Sequence, residues 1–194
     1  MADIRSLCVY CGSSDAGDPG HRAAAHALGR MAAGRGITII FGGGHVGLMG
    51  ALADGALGAG GRVIGIIPEH LMAREVAHAG VSEMIVTDSM HTRKRRMFEL
   101  SDAFCILPGG MGTLDETFEI ITWKQLGLHD KPIILVNLNG FWDPLLAMIE
   151  HQAEGGYIRP QHVGLLRVVA RIESVFEALT VAPAAAVAPR EDRL

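Results

Sequence analysis

Short apolar runs recur along the chain, separated by longer stretches whose apolar residues return every three or four positions. The runs cover residues 4–10, 37–41, 62–67, 81–87, 103–107 and 132–138. Segments such as 37–41 and 133–136 are almost continuously apolar and β-branched, the pattern of strands buried on both faces of a parallel sheet. Helical spacing predicts helices over 21–34, 47–59, 90–100, 113–126 and 142–154, then a short strand near 166–169 and a last helix near 172–179. Strand and helix alternate, so the predicted fold is α/β: a Rossmann-like, doubly wound parallel sheet with helices on both faces. One domain is expected over 1–180. The tail 181–194, with Pro183, Pro189 and a run of Ala, is expected to be disordered.

Punctuation supports these boundaries. Asp18-Pro19 opens the first helix with a capping carboxylate and a proline at its first position, and Asp143-Pro144 is expected to repeat the device. Gly34 and Gly36 fall where the first helix must stop, and residues 155–160 read as a turn.

Composition narrows the function classes. In 194 residues, 49% are hydrophobic and 20% charged, which excludes disorder of the whole chain. The net charge of −4 and 5% aromatic content argue against nucleic acid and a polybasic membrane anchor. No apolar run approaches a membrane span, and no secretory leader is recognisable. Three cysteines make no disulfide framework, so a soluble protein of the reducing cytoplasm is expected. Cys8 and Cys11 form a C-x-x-C, but positions three apart on a strand face opposite ways, against a shared metal or redox site. The nine histidines show no spaced ligand set, and no metal or cofactor is expected.

Three glycine-rich loops follow strands: residues 11–14, 42–47 and 108–113. Gly42, Gly44 and Gly47 formally spell G-x-G-x-x-G, yet they follow the second strand and the next strand runs into Pro68-Glu69, a poor match to a dinucleotide site. Gly42, Gly43 and Gly44 remain candidates for approach to a phosphate, with close helix–sheet packing as the alternative. The loop at Gly109, Gly110 and Gly112 is more specific: successive N–H groups can converge on an anion at a helix start, with Thr113 as its cap. On that helix Leu114, Phe118 and Ile121 are expected in the core, while Thr113, Glu116 and Glu119 share a polar face. The preceding helix sets Met90, Arg93, Lys94 and Met97 on one side, leaving Arg95 and Arg96 as a solvated basic face.

At these residues a family becomes recognisable. The stretch Pro108-Gly109-Gly110-Met111-Gly112-Thr113-Leu114-Asp115-Glu116 resembles the P-G-G-x-G-T-x-x-E motif of the LOG ("Lonely Guy") family. Met90-His91-Thr92-Arg93-Lys94 is similar to its M-H-x-R-K companion, and the resemblance runs from about Ile4 to Leu179. It implies a phosphoribohydrolase that cuts the N-glycosidic bond of cytokinin riboside 5′-monophosphates, releasing free base and ribose 5-phosphate. Many relatives carry an older lysine decarboxylase label, for which no pyridoxal-lysine context is visible. Carried over by motif, substrate contacts fall on Glu75, Arg93, Lys94, Gly110, Met111, Gly112, Thr113, Leu114, Asp115, Glu116 and Thr122, with Arg93 and Glu116 as the catalytic pair. A homodimer is also implied. Independently, Met90, Met97, Phe98, Leu100, Phe118, Ile121 and Trp123 offer more apolar surface than one sheet face readily covers. The family's P-R-E reads Ala73-Arg74-Glu75, His45 stands where Ser is frequent, and Met111 occupies the variable motif position. Two rivals stand beside this reading: a broader AMP or pyrimidine-nucleotide nucleosidase, and a nucleotide- or molybdenum-cofactor-binding protein without catalysis.

Overall fold

In the computed structural model, residues 4–72 and 76–180 are described. Glu75 and the tail 181–194 lie outside these residues. Seven strands form one parallel sheet: β1 (Ser6–Tyr10), β2 (Thr38–Phe41), β3 (Val63–Pro68), β4 (Glu83–Thr87), β5 (Ala103–Ile106), β6 (Ile133–Val136) and β7 (Arg167–Val169). Their order is β4-β3-β2-β1-β5-β6-β7, with every pairing parallel. Each expected strand forms, with its ends within two residues of the expected bounds; β3 alone runs one residue further, to Pro68.

The helices are α1 (Pro19–Ala33), α2 (Gly47–Gly58), α3 (Met90–Glu99), α4 (Met111–Gln125), α5 (Asp143–Glu154), α6 (Pro160–Val163) and α7 (Val175–Thr180). Alternation within β1 shows how the layers divide. Leu7 and Val9 join α1, α2 and α7 in one core, whereas Cys8 joins Met97 of α3 and Ile120 of α4 in the other. Cys8 and Cys11 accordingly lie in different cores, as their spacing requires. The α1–α2 crossing is close because Gly29 and Gly55 bring each helix onto the other's backbone: a Cβ on Gly29 would strike Leu52 O, and one on Gly55 would strike His26 O.

Local chemistry departs from the sequence expectation in four places. Asp18 caps α1, accepting from Gly20 N at 2.7 Å, but Asp143 does not cap α5: helix geometry starts at Asp143 itself, whose Oδ1 accepts from Asn137 Nδ2 at 2.7 Å. Thr113 is no cap either, because α4 begins two residues earlier and Gly110 occupies the cap position. The buried residues of α4 are Thr113, Glu116, Thr117 and Ile120. Leu114 and Ile121 are half-buried against the edge of the core and Phe118 is exposed, so the face expected in the core is only partly covered. Finally, Met97 is buried, and Phe98 stacks on Phe104 and meets Trp123 edge-on within the same chain. That apolar surface is largely consumed internally. The short helix α6 follows the turn over 155–160 and has no clear periodic signal.

Candidate active site

In this strand order the chain leaves β1 toward β2 on one side, and β5 pairs with β1 on the other. Loops at the carboxyl ends of such strands diverge and leave a crevice. Here the β1 and β5 loops meet closely: Gly12 N donates to Pro108 O at 3.0 Å. A Cβ on Gly109 would collide with Thr113 Oγ1 and the Gly12 backbone, so glycine is needed for the loops to touch. Above them lies a cavity of about 540 Å³. The wall carries Gly12 to Ser14 from the β1 loop, Gly42 from the β2 loop, Gly109 to Thr113 from the β5 loop, and the side chains of Arg93 and Glu116. Leu71, Met49, Met90, His21 and Phe141 are among the other residues that line it.

Two helices point their N-termini toward this region, but their donors are spent differently. At α2, Gly47 N donates to Asp15 Oδ1 at 3.2 Å, and Leu48 N and Met49 N both donate to Gly12 O. These are the groups that a G-x-G-x-x-G loop would offer a pyrophosphate, so the dinucleotide reading loses its donors. At α4 the cap residue Gly110 has no side-chain oxygen to give. Among the described residues no acceptor faces the N–H groups of Met111, Gly112 and Thr113. A Cβ on Gly110 or Gly112 would enter open space. Unspent N–H groups and the positive end of a four-turn helix favour an anion at this spot.

Arg93 is 5% exposed on α3. Its Nε donates to Ile66 O and its Nη2 to Gly42 O, both at 3.0 Å, so carbonyls at the ends of β3 and β2 hold a buried guanidinium. Gly42 is needed here for space, since a Cβ would occupy the position of Nη2. Glu116 is 9% exposed, one turn into α4 from the anion site. The cysteines near it are unsuited to nucleophilic attack. Burial pushes the Cys11 thiol, which lines the cavity, well above its usual range, and the Glu116 charge adds to the effect. Cys8 and Tyr10 are raised by burial in the same way.

Comparison with known proteins bears on this arrangement. Residues 49–179 match a family model described as "Possible lysine decarboxylase". A "Probable cytokinin riboside 5′-monophosphate phosphoribohydrolase" of Oryza sativa subsp. japonica is 46% identical over 157 residues, 81% of this chain and 64% of that protein. This chain thus spans less than two thirds of the rice relative's length. The "Cytokinin riboside 5′-monophosphate phosphoribohydrolase" of Rhodococcoides fascians is 44% identical over 176 residues, 90% of this chain and 89% of that protein. The chain belongs to the LOG family. A solved molybdenum cofactor carrier protein of Chlamydomonas reinhardtii matches with a TM-score of 0.69 and 22% identity, covering 91% of this chain and 96% of that one. That likeness concerns the Rossmann-like fold alone.

Within this LOG-family chain, the residues singled out by sequence fall into three groups. Arg93, Gly109, Gly110, Met111, Gly112, Thr113, Glu116 and Gly42 meet on the cavity wall. Lys94, Leu114, Asp115, Thr122, Gly43 and Gly44 lie off it: Gly43 packs under Ile67 and Met84, and Gly44 bridges to Ala77. Glu75 is outside the described residues. The Lys94 ammonium is engaged by Asp115 and Glu119, each at 3.1 Å. Partial burial lowers its pKa, but bonds to those carboxylates outweigh this and leave it raised. Among the described residues no lysine lines the cavity, so the family model's decarboxylase wording finds no Schiff-base lysine here. Sequence reasoning assigned no site role to Ser13, Ser14, His21, Met49, Leu71 or Phe141. Ser13 and Ser14 stood in a recognised glycine loop. Phe141 gave no periodic signal, because left-handed Asn139 (φ 51°) and Gly140 (φ 74°) set its direction.

Proposed function

We propose that this LOG-family chain hydrolyses the N-glycosidic bond of a cytokinin, that is N6-substituted adenosine, 5′-monophosphate to free base and ribose 5-phosphate. The observation that carries the reading is a buried carboxylate, Glu116, one helical turn behind an anion-accepting N-terminus and on the same cavity wall as Arg93. The 5′-phosphate sits on the N–H groups of Met111, Gly112 and Thr113, which places the ribose over Glu116. As the bond breaks, positive charge develops on the sugar. The Glu116 carboxylate stabilises that oxocarbenium character and orients the attacking water. Arg93 balances the negative charge of phosphate and leaving base, held in place by its two carbonyl acceptors. Names of relatives 44% and 46% identical supply the substrate class. Incubation with isopentenyl-AMP and with AMP, assaying ribose 5-phosphate and free base, tests it. Isopentenyl-AMP should be the better substrate. Equal turnover of AMP would favour the broader nucleosidase, and no product from either would overturn hydrolysis.

We also infer a homodimer working in the cytoplasm. All three cysteines are free and buried, which suits a reducing compartment, and among the described residues no helix is long and apolar enough to cross a membrane. The outer face of α4 carries Met111, Phe118 and Thr122 in line, with Phe118 exposed. From that face Thr122 contacts a nucleotide only if it belongs to a partner's cavity. Sedimentation at micromolar concentration should give twice 20.6 kDa, and Phe118→Glu should shift the chain toward monomer with activity lost in parallel. A fully active monomer would sink the shared site while leaving hydrolysis standing.

A further inference from the structure

On α2 and the segments flanking it, away from the cavity, His45, Asp54 and His78 converge although nothing in their sequence spacing marks a ligand set. One ligand atom from each lies within 4.8 Å of the other two. His78 is 6% exposed and its Nε2 sits 3.0 Å from Asp54 Oδ1. His45 and Asp54 are exposed, and the imidazole of His45 stands edge-on to His78 with ring centroids 4.7 Å apart. The backbone fixes this meeting. His45 N donates to Val76 O and His78 N to Gly43 O, both at 2.9 Å, on either side of the Gly44–Ala77 bridge.

We propose that His45, Asp54 and His78 bind a first-row divalent transition metal of the zinc class, as a clamp between the β2 loop, α2 and the segment before β4. Two imidazoles and one carboxylate suit such an ion and not a hard cation like Mg²⁺. Ligands at about 2.1 Å around a tetrahedral ion stand roughly 3.4 Å apart, so modest side-chain rotation closes the present spacing. The solvent side of His45 and Asp54 leaves room for a water as fourth ligand. Proton accounting is simple. Gly80 N donates to His78 Nδ1 at 3.2 Å, so Nε2 now carries the proton and donates it to Asp54. Coordination at Nε2 moves that proton through solvent to Nδ1 and gives up the Gly80 contact. The clamp's consequence is local: it ties down the loop whose Gly42 carbonyl holds Arg93.

The test uses tag-free protein stripped with a chelator, then titrated with Zn²⁺ against a chromogenic competitor and followed by thermal unfolding. Wild type should bind one Zn²⁺ per chain, with a midpoint that climbs with Zn²⁺ concentration and ignores Mg²⁺. The double variant His45→Ala/Asp54→Asn keeps buried His78 in place to protect folding, and should bind at least about tenfold more weakly with no zinc-dependent midpoint. A control, His151→Ala at an exposed position of α5, should behave as wild type. Equal uptake by wild type and the double variant, or no uptake by wild type at micromolar Zn²⁺, overturns the proposal and leaves a plain His78–Asp54 hydrogen bond.

Discussion

Glu116→Gln is expected to lower kcat by about 10²–10⁴-fold while nucleotide binding changes little. The amide keeps the volume of the carboxylate, which matters at a position only 9% exposed, so the fold should survive. What it removes is the charge that meets the cationic sugar, and that charge acts mainly in the transition state. The proposed anion site is backbone N–H at the start of α4, which the substitution leaves untouched. KM for isopentenyl-AMP and the affinity for ribose 5-phosphate should therefore stay within a few-fold of wild type. Steady-state kinetics alongside a ribose 5-phosphate titration read both quantities. Wild-type turnover in the variant would remove Glu116 from the mechanism, and a collapse of affinity with turnover would move it to phosphate binding.

Gly42→Ala should be nearly as damaging through an indirect route. The added methyl falls on Arg93 Nη2 and crowds Met49 Sδ at 3.1 Å. Its backbone angle is not left-handed, so the effect is one of space and not of torsional strain. To make room the guanidinium must leave Gly42 O, and with it the Ile66 O contact becomes poorly aimed. Overpacking of this kind costs about 1–3 kcal/mol, and losing charged hydrogen bonds adds a comparable amount. A lower thermal midpoint and a fall in kcat/KM of about 10²-fold or more are expected. If the variant keeps wild-type kinetics, the position of Arg93 is not set by the β2 loop.

The strands were legible because a parallel sheet covered on both faces needs residues such as Ile39, Ile40, Ile134 and Leu135 to be apolar on either side. The two motif helices were legible because their motifs are local: Arg93 falls within a short run of one helix, and Glu116 follows at a fixed offset from Gly109, whose Cβ would collide with Thr113 and the Gly12 backbone. Amphipathicity misled at α4. It assumes that a polar face seeks water, but this helix buries Thr113, Glu116 and Thr117, and Thr113 and Glu116 border the cavity. The Asp143 cap failed because Asn137 competes for the carboxylate and donates to it, while Asn137 Oδ1 takes Trp142 N at 2.7 Å. No local pattern reveals such a competitor. Nor does local spacing show that His45 and His78 meet, because a long-range bridge between Gly44 and Ala77 brings them together.

The unequal fate of the two helix N-termini also sets a ruler for what the crevice admits. Asp15 and Gly12 O plug the α2 end, so a nucleotide's charge can be met at the α4 end and not shared across both. A single terminal phosphate finishes there, with its dianion matched by one set of N–H groups. Under the proposed hydrolysis a second phosphate finds no matching set of helix N–H groups at α2, because those of Gly47, Leu48 and Met49 already donate to Asp15 and Gly12 O. Monophosphates are therefore expected to bind in preference to diphosphates and triphosphates, and a competition titration with AMP, ADP and ATP measures how strongly phosphate-chain length is discriminated.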